Sequence, residues 1–333
     1  MHAAIALLLA SLFALAASAQ TKTVLAPAVP DEWLPRLRAE VPQVNLVKLP
    51  ASEIDSHLAD ADGFIGKLTP AQLAQAHKLK WEQVMSAGVD DVLFPALVSS
   101  DVTVTNMKVV YGPEIADHAF AFLLAMTRRL NVTIPAQKDE KWIRNREGEI
   151  ELNGKTAVIV GVGGIGRQIA QRAFGFGMKV IGVDVKDYPP DILVQRYVHP
   201  DQLDDVLPEA DVLFVSVPLT ARSQGMIGER EFERMKNGSY FICVSRGKTY
   251  SMNGLVKALD EHRLAGAGVD VTNPEPLPPG HPLWKFPNVI ITPHVANGSD
   301  RLDERMYTIV RENLRRFSNG EPLLNVVDKQ QGF

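Results

Sequence analysis

The chain has 333 residues, of which 46% are hydrophobic and 22% are charged, and its formal net charge is −4. This length is long for one hydrophobic core and suits two domains, while the slightly acidic balance gives no reason to expect nucleic acid as a partner. Because the only cysteine is Cys243 and no Cys/His cluster is present, the sequence predicts neither an internal disulfide nor a metal site.

The N-terminus is almost continuously apolar over residues 3–17, and Ala17-Ser18-Ala19 follows in the small-x-small pattern of a cleavage site. This pattern predicts a secretory signal peptide over residues 1–19 and a periplasmic or secreted protein. The alternatives are a misassigned start codon, which would leave the protein in the cytoplasm, and an uncleaved N-terminal helix. The run is short for a membrane span, and since no later segment approaches ~18 unbroken apolar residues, no stable span is expected in the mature chain.

Strand-like and helix-like segments alternate over the next part of the chain, which predicts a small α/β layer structure. Asp31 is expected to cap the first helix. The predicted strands cover residues 23–26, 44–48, 63–66, 83–86 and 102–106, and the predicted helices cover residues 31–39, 51–58 and 69–76.

A helix is predicted over residues 114–130, with Pro113 at its start, where a missing N–H is harmless. Its residues are apolar on nearly all sides. Such a helix is buried between layers or against a second subunit. A polar segment, residues 137–151, follows it.

A glycine-rich βαβ unit over residues 158–184 is the most informative pattern in the chain. Gly161 permits a tight turn, Gly163 allows a pyrophosphate to approach the backbone, and Gly166 allows the helix to pack on the sheet. Asp184 lies 18 residues after Gly166, close to the expected spacing for an acid that binds a ribose hydroxyl. A carboxylate there favours NAD over NADP, although Lys186 moderates that preference. Glycines alone would also fit a turn without a ligand, but the complete strand, turn, helix, strand and acid favour a dinucleotide site.

Four further strands are predicted at residues 212–217, 240–245, 265–271 and 289–293, each followed by a helix-length segment or loop. This repetition predicts a parallel doubly wound sheet. The last helix, residues 300–319, is expected to return to the first domain. We therefore expect a discontinuous substrate domain (residues 22–106 and 300–333) and a dinucleotide-binding domain (residues 107–299).

Polar residues follow the strands of this second sheet, where open α/β sheets bind their ligands. They are Arg246, Asp270, Glu275 and His294. Taken singly, each is compatible with a surface, capping or loop residue. Together, beside a dinucleotide, they suit hydride transfer to a 2-keto acid: Arg246 offers paired donors for a carboxylate, and His294 can exchange a proton with the keto oxygen. Glu275 would orient His294, and Asp270 is expected to orient the nicotinamide amide.

At these residues the chain resembles the D-isomer-specific 2-hydroxyacid dehydrogenases, over nearly all of its length after about residue 60. The matching segments are residues 79–90, 111–118, 161–166, 217–220, 245–247, 268–271, 275–278, 281–284, 287–289, 292–294 and 321–328. The resemblance implies two doubly wound parallel-sheet domains, a Rossmann domain and a smaller flavodoxin-like substrate domain, and a homodimer.

The resemblance also implies a set of site residues, with NAD as the cofactor. Arg246, Glu275 and His294 would be catalytic, and the backbone of Gly88 and Val89 in the smaller domain would bind the substrate carboxylate. The cofactor-binding residues would be Gly161, Gly163, Gly164, Ile165, Gly166, Asp184, Val217, Pro218, Val244, Ser245 and Asp270.

The chain departs from the usual family pattern at Asp117, Cys243, Ser245 and Thr272, which leaves the substrate open. We expect an NAD-dependent reductase of a small 2-keto acid such as glyoxylate or hydroxypyruvate. The alternatives are an NAD(H)-sensing, corepressor-like protein with the same fold, and a relative acting on formate or phosphite. Glu275 argues against a formate enzyme, in which a glutamine is typical. Export would conflict with a free NAD cofactor, so the compartment stays open.

Overall fold

The computed structural model describes residues 21–144 and 147–333. The signal peptide predicted for residues 1–19 lies outside the described residues. Two parallel sheets form two compact units, which confirms the predicted fold class. Of the described residues, unit 1 contains those up to Met85, Phe94–Thr105 and Tyr307–Val326, and unit 2 contains those in the ranges 86–93, 106–306 and 327–333.

Unit 1 is built on a five-stranded parallel sheet in the order β2-β1-β3-β4-β5. The strands are β1 (Lys22–Leu25), β2 (Val44–Val47), β3 (Gly63–Ile65), β4 (Trp81–Gln83) and β5 (Thr103–Thr105). The helices that connect them are α1 (Leu34–Glu40), α2 (Pro70–Gln75) and α3 (Pro95–Val98), with 3-10 helices at Asp31–Trp33, Ala51–Glu53 and Asp55–Asp60.

Three local predictions in unit 1 differ from the structure. Asp31 caps no helix: it begins a 3-10 turn, and its carboxylate pairs with Lys48 at 2.7 Å. The helix predicted over 51–58 is two 3-10 turns. The strand predicted over 83–86 instead covers residues 81–83, which pair with β3 and β5. Ser86 already belongs to the following loop, where its carbonyl accepts a hydrogen bond from the Met107 N–H.

Unit 2 is built on a seven-stranded parallel sheet in the order β12-β11-β10-β9-β6-β7-β8. Its strands are β6 (Thr156–Val160), β7 (Lys179–Val183), β8 (Arg196–Val198), β9 (Val212–Val215), β10 (Ser239–Cys243), β11 (Leu264–Val269) and β12 (Val289–Ile291). Its helices are α4 (Gly112–Thr127), α5 (Leu130–Lys138), α6 (Gly164–Gly175), α7 (Leu203–Val206), α8 (Glu229–Arg234) and α9 (Met252–Asp260), with 3-10 helices at Pro200–Gln202, Leu207–Glu209, Gly247–Thr249 and Pro282–Lys285.

The central strands of unit 2 are buried at every position of β9 and β10. A parallel sheet covered on both faces requires such continuously apolar strands, and this is the pattern from which they were predicted. β8 and α5 were not predicted, because β8 is short and partly exposed and α5 contains Pro135.

The last helix, α10 (Leu302–Asn319), contributes its residues from Tyr307 onward to unit 1. Tyr307 packs edge-on against Trp33 with ring centroids 5.5 Å apart. The Asn313 side-chain amide donates to Gln83 Oε1 at 2.8 Å, at a site where Asn313 is fully buried. These contacts explain why unit 1 is discontinuous in sequence.

The apolar helix α4 is largely buried within unit 2, against α6, β10 and β11. Phe120 stacks on Phe214 at 5.4 Å. Gly268 has no space for a side chain, because a Cβ there would lie 2.5 Å from Phe122. Packing within the unit therefore accounts for the apolar faces of this helix, and the homodimer stays a prediction. In the described ranges, 21–144 and 147–333, no helix is long and apolar enough to cross a membrane.

The segment 86–93 had been predicted to belong to the smaller domain, yet it is grouped with unit 2. Its backbone is bonded there: Ala87 accepts from the Asn106 side-chain amide at 2.7 Å, and Ser86 accepts from the Met107 N–H at 3.0 Å. This arrangement places Gly88 beside the carboxyl ends of the unit 2 strands.

Candidate active site

A cleft of about 1330 Å³ lies at the carboxyl ends of the unit 2 strands. This is the edge at which open α/β sheets bind ligands. Most predicted site residues line it: Gly88, Gly161, Gly163, Gly164, Ile165, Asp184, Val217, Pro218, Val244, Ser245, Arg246, Asp270 and His294. Gly166, Val89 and Glu275 do not line the cleft, but Glu275 contacts His294, which does.

The glycine-rich loop has the geometry that a pyrophosphate requires. Gly161 has φ +87°, and its N–H donates to the Val183 carbonyl at 2.8 Å. Gly163 precedes α6 without a side-chain cap, and a Cβ added to it would have no atom within 4 Å, so the approach to the helix N-terminus is open. A Cβ on Gly166 would lie 1.9 Å from the Gly161 carbonyl oxygen, so only glycine lets this turn close. The cradle therefore fits a dinucleotide bound at the first turn of α6.

Asp184 ends β7 and is tied to the glycine-rich loop. Its Oδ2 accepts from the Val162 N–H at 2.7 Å, and its Oδ1 accepts from the Lys186 N–H at 3.0 Å. A carboxylate has about four acceptor positions, so capacity remains for ribose hydroxyls. The Lys186 ammonium lies 5.9 Å from the centroid of the Phe333 ring, and both residues line the cleft.

The loops after β9 and β10 are bonded to each other. Ser245 Oγ donates to the Val217 carbonyl, and the Val244 N–H donates to Val215 at 3.1 Å. The Pro218 carbonyl accepts from Ser223 Oγ at 2.6 Å. These bonds hold the wall of the cleft that faces the glycine-rich loop.

Arg246 follows β10 in extended conformation, with 32% of its side chain exposed. Its Nη1 donates to the Ser245 carbonyl at 3.1 Å, and its Nε lies 3.3 Å from Asp90 Oδ1. The next residue is Gly247, where a Cβ would lie 1.8 Å from the Thr272 carbonyl oxygen. Glycine at this position lets the end of β10 approach the loop that carries Glu275.

His294 and Glu275 are hydrogen-bonded, with His294 Nδ1 2.9 Å from Glu275 Oε2. The side chains are 46% and 39% exposed, respectively. The other carboxylate oxygen, Oε1, accepts from the Thr272 N–H at 3.0 Å. With Glu275 ionised, Nδ1 carries the hydrogen and donates it, so Nε2 is the nitrogen that faces proton exchange. His294 has φ +56°, a left-handed conformation that surrounding contacts must hold.

Asp270 supplies those contacts. It is 3% exposed, and its own carbonyl accepts from the His294 N–H at 2.9 Å. Its Oδ1 accepts from Thr292 Oγ1 at 2.5 Å and from the Val295 N–H at 2.9 Å, and its Oδ2 accepts from the Ala296 N–H at 3.0 Å. Asp270 lines the cleft, but these bonds give it a structural role that the sequence did not predict.

Four residues of the site were missed at the sequence level. His118 Nε2 lies 2.9 Å from Thr292 Oγ1, which extends the Asp270 network to α4. Thr272 anchors Glu275, and Asp90 pairs with Arg246. Asp90 and Thr292 lie within segments that match the family, so the sequence could have indicated these two positions. Their contacts, however, become visible only in the folded chain.

Cys243, at the end of β10, is fully buried. Burial raises the pKa of its thiol to about 12. Across residues 21–144 and 147–333, no group of three or more His, Cys, Asp and Glu side chains is arranged to hold a metal ion.

A family model described as D-isomer specific 2-hydroxyacid dehydrogenase, NAD binding domain, matches residues 120–296. A glyoxylate reductase from Korarchaeum cryptofilum is 35% identical over 288 residues, covering 83% of this chain and 86% of that protein.

Two solved structures are similar over almost the whole chain. A D-isomer specific 2-hydroxyacid dehydrogenase family protein from Aeromonas salmonicida is 31% identical with a TM-score of 0.79, covering 93% of this chain and 99% of that one. An NADPH-dependent glyoxylate/hydroxypyruvate reductase from Sinorhizobium meliloti, solved with NADP and sulfate, is 26% identical with a TM-score of 0.79, covering 94% and 100%.

The earlier resemblance is thereby confirmed at the level of family. The chain belongs to the D-isomer-specific 2-hydroxyacid dehydrogenases and is an oxidoreductase that uses a nicotinamide dinucleotide.

Proposed function

We propose that this protein reduces a small 2-keto acid, of the glyoxylate or hydroxypyruvate type, to its D-2-hydroxy acid with NADH. The observation that carries the proposal is the His294–Glu275 pair, 2.9 Å apart, at the same cleft as the glycine-rich loop and Arg246. The names of the relatives from K. cryptofilum and S. meliloti support this substrate class.

Arg246 binds the substrate in this proposal. Nη1 donates to the Ser245 carbonyl and Nε lies within ion-pair distance of Asp90, and the remaining N–H groups are donors for the substrate carboxylate and the adjacent keto oxygen. The backbone at Gly88 and Val89 provides further donors for the carboxylate. A planar, permanently charged fork suits this task better than a lysine ammonium does.

His294 is the proposed general acid. Protonated His294 gives the Nε2 hydrogen to the keto oxygen as negative charge develops on it, while Glu275 stabilises the imidazolium through Nδ1. The bound nicotinamide supplies the hydride when the cofactor is in place. Asp184 and the glycine-rich loop hold the adenosine ribose and the pyrophosphate, and Val217, Pro218, Val244, Ser245 and Asp270 form the rest of the cofactor site.

We also propose that two copies of the chain associate. Four large apolar side chains on or after α5 are exposed: Leu130 (43%), Ile134 (53%), Trp142 (91%) and Ile143 (44%). The four lie within a single stretch of 14 residues, and a contiguous exposed apolar patch is typical of an interface. Sedimentation velocity tests this proposal, and a monomer at micromolar concentration would overturn it.

A screen of 2-keto acids with NADH and with NADPH tests the function. We expect turnover of glyoxylate or hydroxypyruvate, faster with NADH, and loss of turnover in the Arg246→Ala variant. If the protein bound NADH but reduced no keto acid, the proposed reductase activity would be rejected and an NAD(H)-sensing protein would be favoured.

A further inference from the structure

Gly88, Asp90 and Arg246 form a small platform at the cleft edge. The Nε of Arg246 lies 3.3 Å from Asp90 Oδ1, and 24% of the Asp90 side chain is accessible. The two groups lie within ion-pair distance, and a partly buried carboxylate beside Nε restricts the orientations that the guanidinium can adopt. Arg246 is a long side chain with several rotatable bonds, so its orientation needs such a partner.

The fit at Gly88 is a second, independent observation. A Cβ built on Gly88 would lie 2.0 Å from Arg246 Nη2 and 2.9 Å from Asp90 Oδ1. The backbone of Gly88 is not in the left-handed region, so glycine is required here by the approach of the guanidinium and not by a turn. Arg246 Nη2 therefore occupies the place where a side chain would otherwise stand.

The platform itself is fixed. Ser86 Oγ donates to the Gly88 carbonyl at 2.7 Å, and the Asn106 side chain donates to the Ala87 carbonyl at 2.7 Å. On the other side of Asp90, the Val92 N–H donates to the Val89 carbonyl at 3.0 Å. Asp90 thus stands on a loop that is bonded both before and after it.

The donors of Arg246 divide into two sets. Nε faces Asp90, and one hydrogen of Nη1 is used by the Ser245 carbonyl. Among residues 21–144 and 147–333, Nη2 has no hydrogen-bond partner in the protein. Nη2 is therefore the guanidinium nitrogen whose hydrogens remain for a ligand.

We propose that Asp90 is a positioning residue, which orients Arg246 so that its Nη2 group meets the carboxylate of the keto acid. This proposal rests on the proposed function, because it assigns the carboxylate of a 2-keto acid to Arg246. It adds a residue to the site whose own charge repels the substrate. Orientation of the guanidinium outweighs that repulsion, because an Arg246 released from Asp90 samples many rotamers that do not present the fork.

The test compares Asp90→Ala, Asp90→Asn and Gly88→Ala with the wild type, with Asp101→Ala as a matched control at an exposed aspartate of unit 1. We expect Asp90→Ala to raise the KM for glyoxylate about tenfold while kcat changes much less. Asn retains an acceptor, so Asp90→Asn should have an intermediate effect. Gly88→Ala should give the same pattern without loss of stability, since the atom it displaces is the end of a flexible side chain.

Two further measurements separate positioning from a general structural effect. Calorimetry of oxamate binding to the enzyme–NADH complex should show weaker binding in Asp90→Ala, with NADH affinity unchanged, and this measurement needs no turnover. In an Arg246→Lys background, Asp90→Ala should alter KM by less than about twofold, because the two residues act as one unit.

An unchanged or lowered KM in both Asp90→Ala and Gly88→Ala would overturn the proposal, as would an equal effect in the Arg246→Lys background. A wild type that binds oxamate and NADH but reduces no keto acid would contradict the proposed function alone.

Discussion

The backbone N–H of His294 donates to the carbonyl of Asp270 at 2.9 Å, and the Asp270 carboxylate accepts from the residues on either side of His294. A single buried aspartate thus holds a histidine in a left-handed conformation with φ +56°. Because such a conformation is unfavourable for a side chain with a Cβ, the network is what keeps the imidazole opposite Glu275.

Asp270→Asn should disturb this loop. An asparagine has one acceptor oxygen, so the donors on Thr292, Val295 and Ala296 cannot all be satisfied in a buried site. We expect a loss of about 1.5–3 kcal/mol in the free energy of unfolding, the range for a hydrogen bond to a charged group, together with a lower kcat. Urea denaturation and steady-state kinetics measure both. Thr292→Val removes one of the three bonds and should have a smaller effect; an equal effect would show that the other two bonds do not matter.

His294→Ala should lower turnover by about 10² to 10⁴ if the imidazole is the general acid. His294→Asn is the matched control for backbone conformation, because asparagine tolerates positive φ better than alanine does. Both variants should lose activity, and only His294→Ala should lose stability. Normal turnover in either variant would show that the proton comes from another group.

Asp184→Ala should weaken NADH binding and reduce the preference for NADH over NADPH, since the carboxylate that repels a 2′-phosphate is removed. Fluorescence titration with each cofactor measures the two dissociation constants. Lys186→Ala serves as the comparison and should shift the ratio the other way. An unaltered ratio in Asp184→Ala would show that the ribose is recognised elsewhere.

The buried carboxyl group of Glu82, on β4, should make the stability of unit 1 depend on pH. It is 0% exposed, its Oε1 accepts from the Leu68 N–H at 2.9 Å, and its Oε2 has no partner in the part of the chain that the structure describes. Burial raises the pKa of Glu82 from 4.5 to about 7, against the smaller opposing effect of the Leu68 hydrogen bond.

Since the folded state binds this proton more tightly than the unfolded state, the stability that Glu82 contributes is greatest at low pH and is lost as pH rises from about 4.5 to about 7. The full change is about 3 kcal/mol. Urea denaturation at several pH values should show this decline in the wild type and a flatter profile in Glu82→Gln. Identical profiles would contradict a buried, titrating Glu82.

Cys243 should be unreactive in the folded protein. Its thiol is fully buried with a pKa of about 12, and the thiolate is the form that reacts. A thiol reagent should modify no cysteine in the native chain and one per chain in denaturant, because Cys243 is the only cysteine. Rapid labelling of the native protein would show that β10 opens.

Much of the site could be predicted because its residues stand at the ends of strands, where periodicity and glycine spacing are informative. Gly161, Asp184 and Arg246 all line the cleft for this reason. Strands β9 and β10 could be predicted as well, because the strands of a parallel sheet covered on both faces are continuously apolar.

The rest depended on contacts that no local pattern encodes. The pairing of Asp90 with Arg246 joins residues far apart in sequence, and the bonds of Asp270 to the His294 segment are set by the register of β11 and β12. Because of its residue type, Asp31 was predicted to cap a helix, but its carboxylate pairs with Lys48 instead.

Asp184, the residue proposed to select the coenzyme, also accepts a hydrogen bond from the Val162 N–H in the glycine-rich loop. An engineer who replaced this aspartate to admit a phosphorylated ribose would also remove the acceptor that fastens the turn. A successful redesign would therefore need a neutral acceptor such as asparagine at position 184 together with a new cation nearby. A single substitution by a small side chain would lower the selectivity and also weaken the binding of either coenzyme.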